Sequence, residues 1–403
     1  MDAIVIFVFI FVYAGMMLGR IPRLALDRTG IALLGAIVLL AAGKIQPGDA
    51  WRSIDVSTIG LLLGLMVLSA QFRLGGFYAH LTRRLGDMNV SPRAFLAYLI
   101  VCSGCLSAVL ANDIVCLAMT PVLIQTCVQK RLNPVPFLLA LACAANVGSA
   151  ATLIGNPQNM LIGQTLRLSF SGYLLDAGVP VLLGLAAVWA VISWNLDREW
   201  TPKTIVAESD APPYDTWQTG KGFFVLGGLV LLFLFTPLPR EILALAAAGL
   251  LLSSRRMSSR KILGLVDWQL LVLFSGLFIV NSVLVSSRML EAAIKELHLV
   301  GVNVEHPGWL FGITAILSNM VSNVPATMLL LPAATHSLSG AVLALSSTLA
   351  GNLIIVGSIA NIIVVEQARH CNVEVSWKEH AKVGIPVTLI TLILAATWLW
   401  LRS

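Results

Sequence analysis

The sequence predicts an all-α polytopic membrane protein of about ten transmembrane helices and two re-entrant hairpins, arranged as an inverted repeat. Three observations predict it. Of 403 residues, 58% are hydrophobic and 11% charged, against roughly a quarter charged in a soluble domain. Apolar runs long enough to cross a bilayer, about 17 to 25 residues, recur from Ile4 to Trp400 with no polar block large enough for a separate core. Unusual polar motifs of the first half also return in the second.

The first run, Ala3 to Leu18, lacks a basic leader and a small-residue cleavage site, and reads as the first transmembrane helix. Further spans are expected at 29–42, 54–76, 135–163, 172–194, 221–236, 239–253, 267–288, 340–365 and 384–401. Two apolar stretches, 93–128 and 307–337, remain, and each is expected to enter and leave on one side. With the N-terminus outside, only Lys44, Arg52, Arg167, Arg240, Arg288, Lys295 and Arg402 of the 26 Lys and Arg stay outside. This satisfies the positive-inside rule and puts both termini on the periplasmic side of a bacterial inner membrane. The net charge of +6 follows from orientation and asks for no nucleic-acid partner.

The charged segment 197–220 divides a first repeat, 1–196, from a second, 221–403. In the first, scaffold helices lie within 1–76, followed by the hairpin 93–128, a broken helix 135–163 and a helix 172–194. In the second, scaffold helices lie within 221–288, followed by the hairpin 307–337, a broken helix 340–365 and a helix 384–401. "LSAVLANDIVCLAMTP" (Leu106 to Pro121) parallels "LSNMVSNVPATMLLLP" (Leu317 to Pro332), and "IGNPQNMLI" (Ile154 to Ile162) parallels "VGSIANIIV" (Val356 to Val364). Five spans per repeat is odd, so the second copy runs inverted, a hallmark of secondary transporters.

Helices of roughly 15 residues flank Ser322 and Asn323, and at 1.5 Å per residue reach only about 22 Å, short of the roughly 30 Å hydrocarbon core. Hairpins with tips at mid-depth follow. Irregular backbone survives there only beside protein or a water-filled cavity, so Asn112 and Asp113 at one tip, and Ser322 and Asn323 at the other, are expected to face a site. In "GNPQN", Gly155 permits unusual dihedrals and Pro157 removes an N–H, which unwinds the helix and frees Asn156 and Asn159. "GSIAN" offers Gly357, Ser358 and Asn361 without the proline, a weaker break. Ser149 and Asn352 read as helix packing.

Asp113 has no acidic counterpart, because Val324 stands in its place. A mid-membrane carboxyl is by default a functional hypothesis, here the exchange of a proton or cation; a cap on the returning half-helix is the structural alternative. Asp55 and Asp267 read as N-caps, and Asn281, opposite Ser69, as a scaffold packing bond. All six histidines fall in or beside expected loops, and the six cysteines mostly sit in apolar runs without metal-ligand spacing. No metal, cofactor or enzymatic motif is expected.

At "ANDIVCLAMTP", "ANVGSAATLIGNPQN", "SNVPATMLLLP" and "GSIAN" the chain resembles the ion transporter superfamily. That superfamily includes ArsB-type arsenite permeases, P-protein type permeases, sodium/proton antiporters and dicarboxylate or citrate carriers. The resemblance implies a homodimer whose scaffold stays fixed while hairpins and broken helices move as an elevator. It puts the hairpin tips at Asn112 and Asp113 and at Ser322 and Asn323, and the unwound segments at Gly155–Asn159 and Gly357–Asn361. Dicarboxylate carriers show Ser-Asn-Thr at both tips, whereas these read Ala-Asn-Asp and Ser-Asn-Val. An Asn-Asp tip, and no mid-membrane Arg or Lys, lead to the expectation of proton-coupled arsenite or antimonite efflux. Sodium- or proton-coupled anion or dicarboxylate transport, or sodium/proton antiport, is the alternative.

Overall fold

The computed structural model describes residues 2–19, 26–194, 212–254 and 256–403. Most of the expected 197–220 linker lies outside the described residues, as do Arg20, Arg23 and Arg255. The first half contains α1 (Ala3–Leu18), α2 (Arg28–Ala41), α3 (Pro47–Ser53), α4 (Val56–Leu74), α5 (Phe77–Asp87), α6 (Pro92–Val109), α7 (Asn112–Gln129), α8 (Pro134–Ser149), α9 (Pro157–Thr165) and α10 (Phe170–Ser193). The second contains α11 (Thr216–Phe235), α12 (Arg240–Leu252), α13 (Ser259–Leu263), α14 (Trp268–Ser286), α15 (Met289–Leu299), α16 (Pro307–Val321), α17 (Asn323–Leu330), α18 (Ser339–Ala350), α19 (Ile359–His370) and α20 (Trp377–Arg402). All are helices, and α4, α6, α10, α11, α14 and α20 are long and apolar enough to cross a membrane.

The halves interlock. Helix α4 packs on α12 and α2 on α14, which ties the two halves together, while α6 packs on α8, α16 on α18 and α10 on α20. Small residues allow the closest of these approaches. A Cβ on Gly148 of α8 would stand 2.3 Å from the Gly104 carbonyl oxygen of α6, and one on Gly64 of α4 would stand 2.6 Å from the Ala244 carbonyl of α12. Helices α8 and α18 are buried along their whole lengths and form the centre of the molecule.

Three expectations are corrected. The segments 77–87 and 289–299, which fall outside every expected span and hairpin, are helices α5 and α15. A search for membrane-length apolar runs passes over them because each has only 11 residues and carries charge. Helix α5 is amphipathic, burying Tyr78, Ala79, Thr82 and Leu85 against α7 and its neighbours. The second broken helix is as fully interrupted as the first: α8 and α9 are separated by 150–156, α18 and α19 by 351–358. Proline is therefore not what makes the break. Nor does Gly155 or Gly357 adopt positive φ; both are required by close approach. A Cβ on Gly155 would lie 2.2 Å from the Ser149 carbonyl oxygen, and one on Gly357 2.7 Å from Asn319 Oδ1.

Candidate functional site

Each hairpin tip lies against the broken helix of its own half. At the first, Leu110 and Ala111 leave the helical region, and Asn112 N–H reaches the Gly155 carbonyl at 3.4 Å. At the second, Ser322 turns the chain with φ 78° and ψ 158°. For a residue with a Cβ this conformation costs on the order of 1–3 kcal/mol and persists only where its surroundings enforce it. Here Ser318 Oγ donates to the Ser347 carbonyl (2.9 Å) and Asn319 Nδ2 to the Ala350 carbonyl (3.0 Å), which pins the end of α16 to α18. Neither α7 nor α17 has a side-chain cap, and both direct positive dipole ends at the tips.

The two breaks are built alike. Asn159 Nδ2 donates to the carbonyls of Ser149 (3.3 Å) and Thr152 (2.9 Å). Asn361 Nδ2 donates to those of Gly351 (2.9 Å) and Ile354 (3.3 Å), which are the corresponding positions of the repeat. These amides satisfy carbonyls that an unbroken helix would pair internally. Pro157 starts α9 at its first turn and Asn156 caps it, Oδ1 accepting from Asn159 N at 2.9 Å. Ser358 caps α19, Oγ accepting from Ala360 N at 3.2 Å.

Between the breaks run two chains of side-chain bonds related by the repeat. Asn146 of α8 accepts from Ser358 Oγ (2.8 Å) and from Asn112 Nδ2 (3.4 Å), and donates to Asn352 Oδ1 (2.8 Å) and Asn361 Oδ1 (3.1 Å). Its repeat counterpart, Thr348 of α18, meets Asn156 Nδ2 (3.3 Å) and Gln158 Nε2 (3.1 Å). With its amide nitrogen turned toward acceptors, Asn323 donates to the carbonyls of Ser347 and Gly357 and accepts from Gln158 Nε2, each at 3.2 Å. Ser149 joins the two chains, accepting from Asn156 Nδ2 at 2.9 Å and donating to the Asn146 carbonyl at 2.8 Å. Among the described residues, the bonds across this centre join side-chain amides, hydroxyls and backbone carbonyls, with no charged side chain among them. Buried polar atoms around it still lack partners, among them Asn112 Oδ1, Asn159 Oδ1, Asn352 Nδ2 and Ser107 Oγ, as expected where a polar solute or water completes the bonding.

Asn146, Gln158, Thr348 and Asn352 were not singled out as site residues from sequence. The signal existed for one pair: Asn146 precedes Asn156 by the same interval as Thr348 precedes Ser358.

Asp113, adjacent to Asn112 in sequence, does not join this centre. It lines a cavity of about 210 Å³ with Arg73, Asp267, Ala111, Pro157 and Met160. No Arg or Lys is expected at mid-membrane, and Arg73, in the last turn of α4, reaches the wall of this cavity from the helix end. Asp55 and Asp267 do cap their helices, accepting from Thr58 N (3.1 Å) and Leu270 N (3.0 Å). His380, read as a loop residue, is buried on α20 with Nε2 3.1 Å from the Asn352 carbonyl oxygen. Asn281, expected to make a packing bond, reaches the second hairpin: Tyr13 donates to its Oδ1 (2.8 Å), and its Nδ2 lies 3.7 Å from Met328 Sδ. Ser69, its repeat counterpart, accepts from Ala111 N of the first tip at 3.3 Å.

Residues 4–342 match the profile of the citrate transporter family, CitMHS. The chain is 28% identical to an uncharacterised transporter of Mycobacterium tuberculosis, over all of this chain and 99% of that one. It is 29% identical to a silicon efflux transporter of rice, Oryza sativa subsp. japonica, over 92% of each. It is 24% identical to a putative arsB transporter of Dictyostelium discoideum, over 92% of this chain and 87% of that one. Among solved structures it shares the fold of the YdaH transporter of Alcanivorax borkumensis. There the TM-score is 0.59 at 15% identity, covering all of this chain and 98% of that one.

Proposed function

This chain belongs to the citrate transporter family, CitMHS, and is a multi-pass membrane transporter; we propose that it exports a small neutral metalloid hydroxide, arsenous or antimonous acid, in exchange for protons. The observation that carries this reading is the bonding at the centre, where amides and hydroxyls meet one another without a charged partner. Such groups match the hydroxyls of an uncharged trihydroxide, each of which donates one bond and accepts others. A carboxylate desolvated there would need a cation that these residues do not supply. The similarity to a silicon efflux transporter and a putative arsB transporter supports the same class of cargo.

In this reading Asn112, Asn146, Asn156, Ser358 and Asn323, with Gln158 and Thr348, exchange their mutual bonds for bonds to the solute. The positive dipole ends of α7 and α17 favour its oxygens. Asn159, Asn361, Gly155, Pro157 and Gly357 keep the breaks open, and Ser322 holds the second tip. Asp113 exchanges the proton as hairpins and broken helices move along the scaffold of a homodimer in the bacterial inner membrane. With the N-terminus outside, the Asp113 cavity opens toward the cytoplasm, where cargo loads.

Arg73 on the cavity wall favours a second reading, proton- or sodium-coupled transport of a carboxylate such as citrate. Expression in an arsenite-sensitive bacterial host separates the two. The first reading expects growth at arsenite concentrations that stop the host, lost with Asn146→Leu. Unchanged sensitivity, together with uptake of labelled citrate that Arg73→Gln abolishes, would establish the second.

A further inference from the structure

Asn112 and Asp113 are consecutive, yet their side chains serve different compartments. Asn112 is buried and bonded to Asn146 in the polar centre. Asp113 faces the cavity of about 210 Å³, whose wall is drawn from both moving and fixed parts: Ala111, Asp113 and Ile114 at the first tip, Pro157 and Met160 of α9, and opposite them Leu62, Leu65, Met66 and Arg73 of α4 and Asp267 before α14. A second cavity of about 340 Å³ abuts it, lined by Asp27, Arg28, Thr29 and Gln269 and sharing Asp267 and Leu270 with the first. Asp27, Asp267 and Gln269 are exposed. Asp267 therefore stands on the wall between an outer, accessible space and the inner space of Asp113.

No hydrogen-bond donor among the described residues reaches the Asp113 carboxyl. Its charged surroundings are Arg73 and Asp267 across the inner cavity, with Asp27 and Arg28 beyond Asp267 in the outer one. Asp267 is held in place by the N–H of Leu270, at the positive end of the α14 dipole.

Building on the reading of Asp113 as the proton carrier, we propose that Arg73 and Asp267, one cation and one anion fixed on the scaffold, set the pH at which Asp113 releases its proton while it faces the two cavities. Both are positioning residues that act through charge. The proton leaves the Asp113 carboxyl for water in the cavities. A cation beside a carboxyl favours its ionised form and an anion opposes it. Because the pair stays on the scaffold, its influence applies to one end of the transport cycle and is left behind when the hairpin moves. Proton release is thereby tied to the position in which cargo loads.

The test is an infrared titration of the purified full chain, following the protonated-carboxyl band that Asp113→Asn removes. Asp267→Asn, which retains a capping side chain, is expected to move the midpoint to lower pH by about one unit, a tenfold change in proton concentration, and Arg73→Gln to move it to higher pH by a similar amount. Asp27→Asn, a cap change of the same kind on α2 (Asp27 Oδ1 accepts from Gly30 N at 2.8 Å), controls for helix-end effects and is expected to leave the midpoint in place. Midpoints unmoved by both inner-cavity variants, or moved in the same direction, would overturn the proposal while leaving Asp113 as the carrier. A titrating band that survives Asp113→Asn, with none removed by it, would overturn both. The readout requires no cargo, so an error in its identity does not affect the result.

Discussion

Gly155 shows how closely the centre is packed. A methyl group there would meet the Ser149 carbonyl at 2.2 Å and the Ser107 carbonyl at 2.7 Å, and backbone atoms on both sides cannot rotate away. Gly155→Ala is expected to destabilise the protein by about 1–3 kcal/mol, seen as earlier thermal unfolding of the purified transporter, and to abolish transport. A variant with unchanged melting and full activity would show that the break has room to adjust. Gly163 is the comparison, since a methyl there would meet only side chains, at 3.1 Å or more.

The two broken helices behave as one design used twice. Asn159 closes the first break and Asn361 the second on matching carbonyls, so Asn159→Ala and Asn361→Ala are expected to weaken folding to a similar degree. Each loses two bonds to carbonyls and one further side-chain bond, to Tyr173 Oη for Asn159 and from Asn146 Nδ2 for Asn361, worth about 1 kcal/mol apiece, and denaturant or thermal unfolding of both variants reads the comparison. A large effect at Asn159 with none at Asn361 would return the role of breaking the helix to Pro157. The motif pairing was legible because polar residues recur at fixed spacing within apolar sequence, and this located both hairpins and both breaks. Which atoms the amides bond was not legible: Asn159 and Asn361 look like ligands in the sequence and turn inward to backbone carbonyls in the structure. Helices α5 and α15 escaped because membrane-length hydropathy is blind to short amphipathic segments, and Arg73 because its span continues to the edge of the cavity. Asp113 was found by its charge, but its direction, away from Asn112, depends on where α4 and α14 stand.

At the scale of the whole molecule, the proposed elevator motion requires hairpins and broken helices to part from the helices beside them, and polar contacts join the two sets, among them Gln164 Nε2 donating to Glu241 Oε2 at 3.2 Å. Ser69 bonds the first tip at Ala111 N, and Tyr13 with Asn281 reaches the second hairpin at Met328 and the Pro325 carbonyl. The remainder of the Asp113 cavity wall is mostly apolar, which suits the sliding of hairpins that the proposed mechanism requires. The proposed function separates cargo, held among amides, from the coupling proton, held at Asp113. The measurement that tests this most directly is arsenite accumulation in inverted membrane vesicles under an imposed pH gradient, acid inside. The account predicts accumulation that follows the gradient and that Asp113→Asn abolishes, while Asn146→Leu lowers arsenite affinity without removing the pH dependence of the remaining transport. Accumulation indifferent to the gradient, or retained in full by Asp113→Asn, would contradict it.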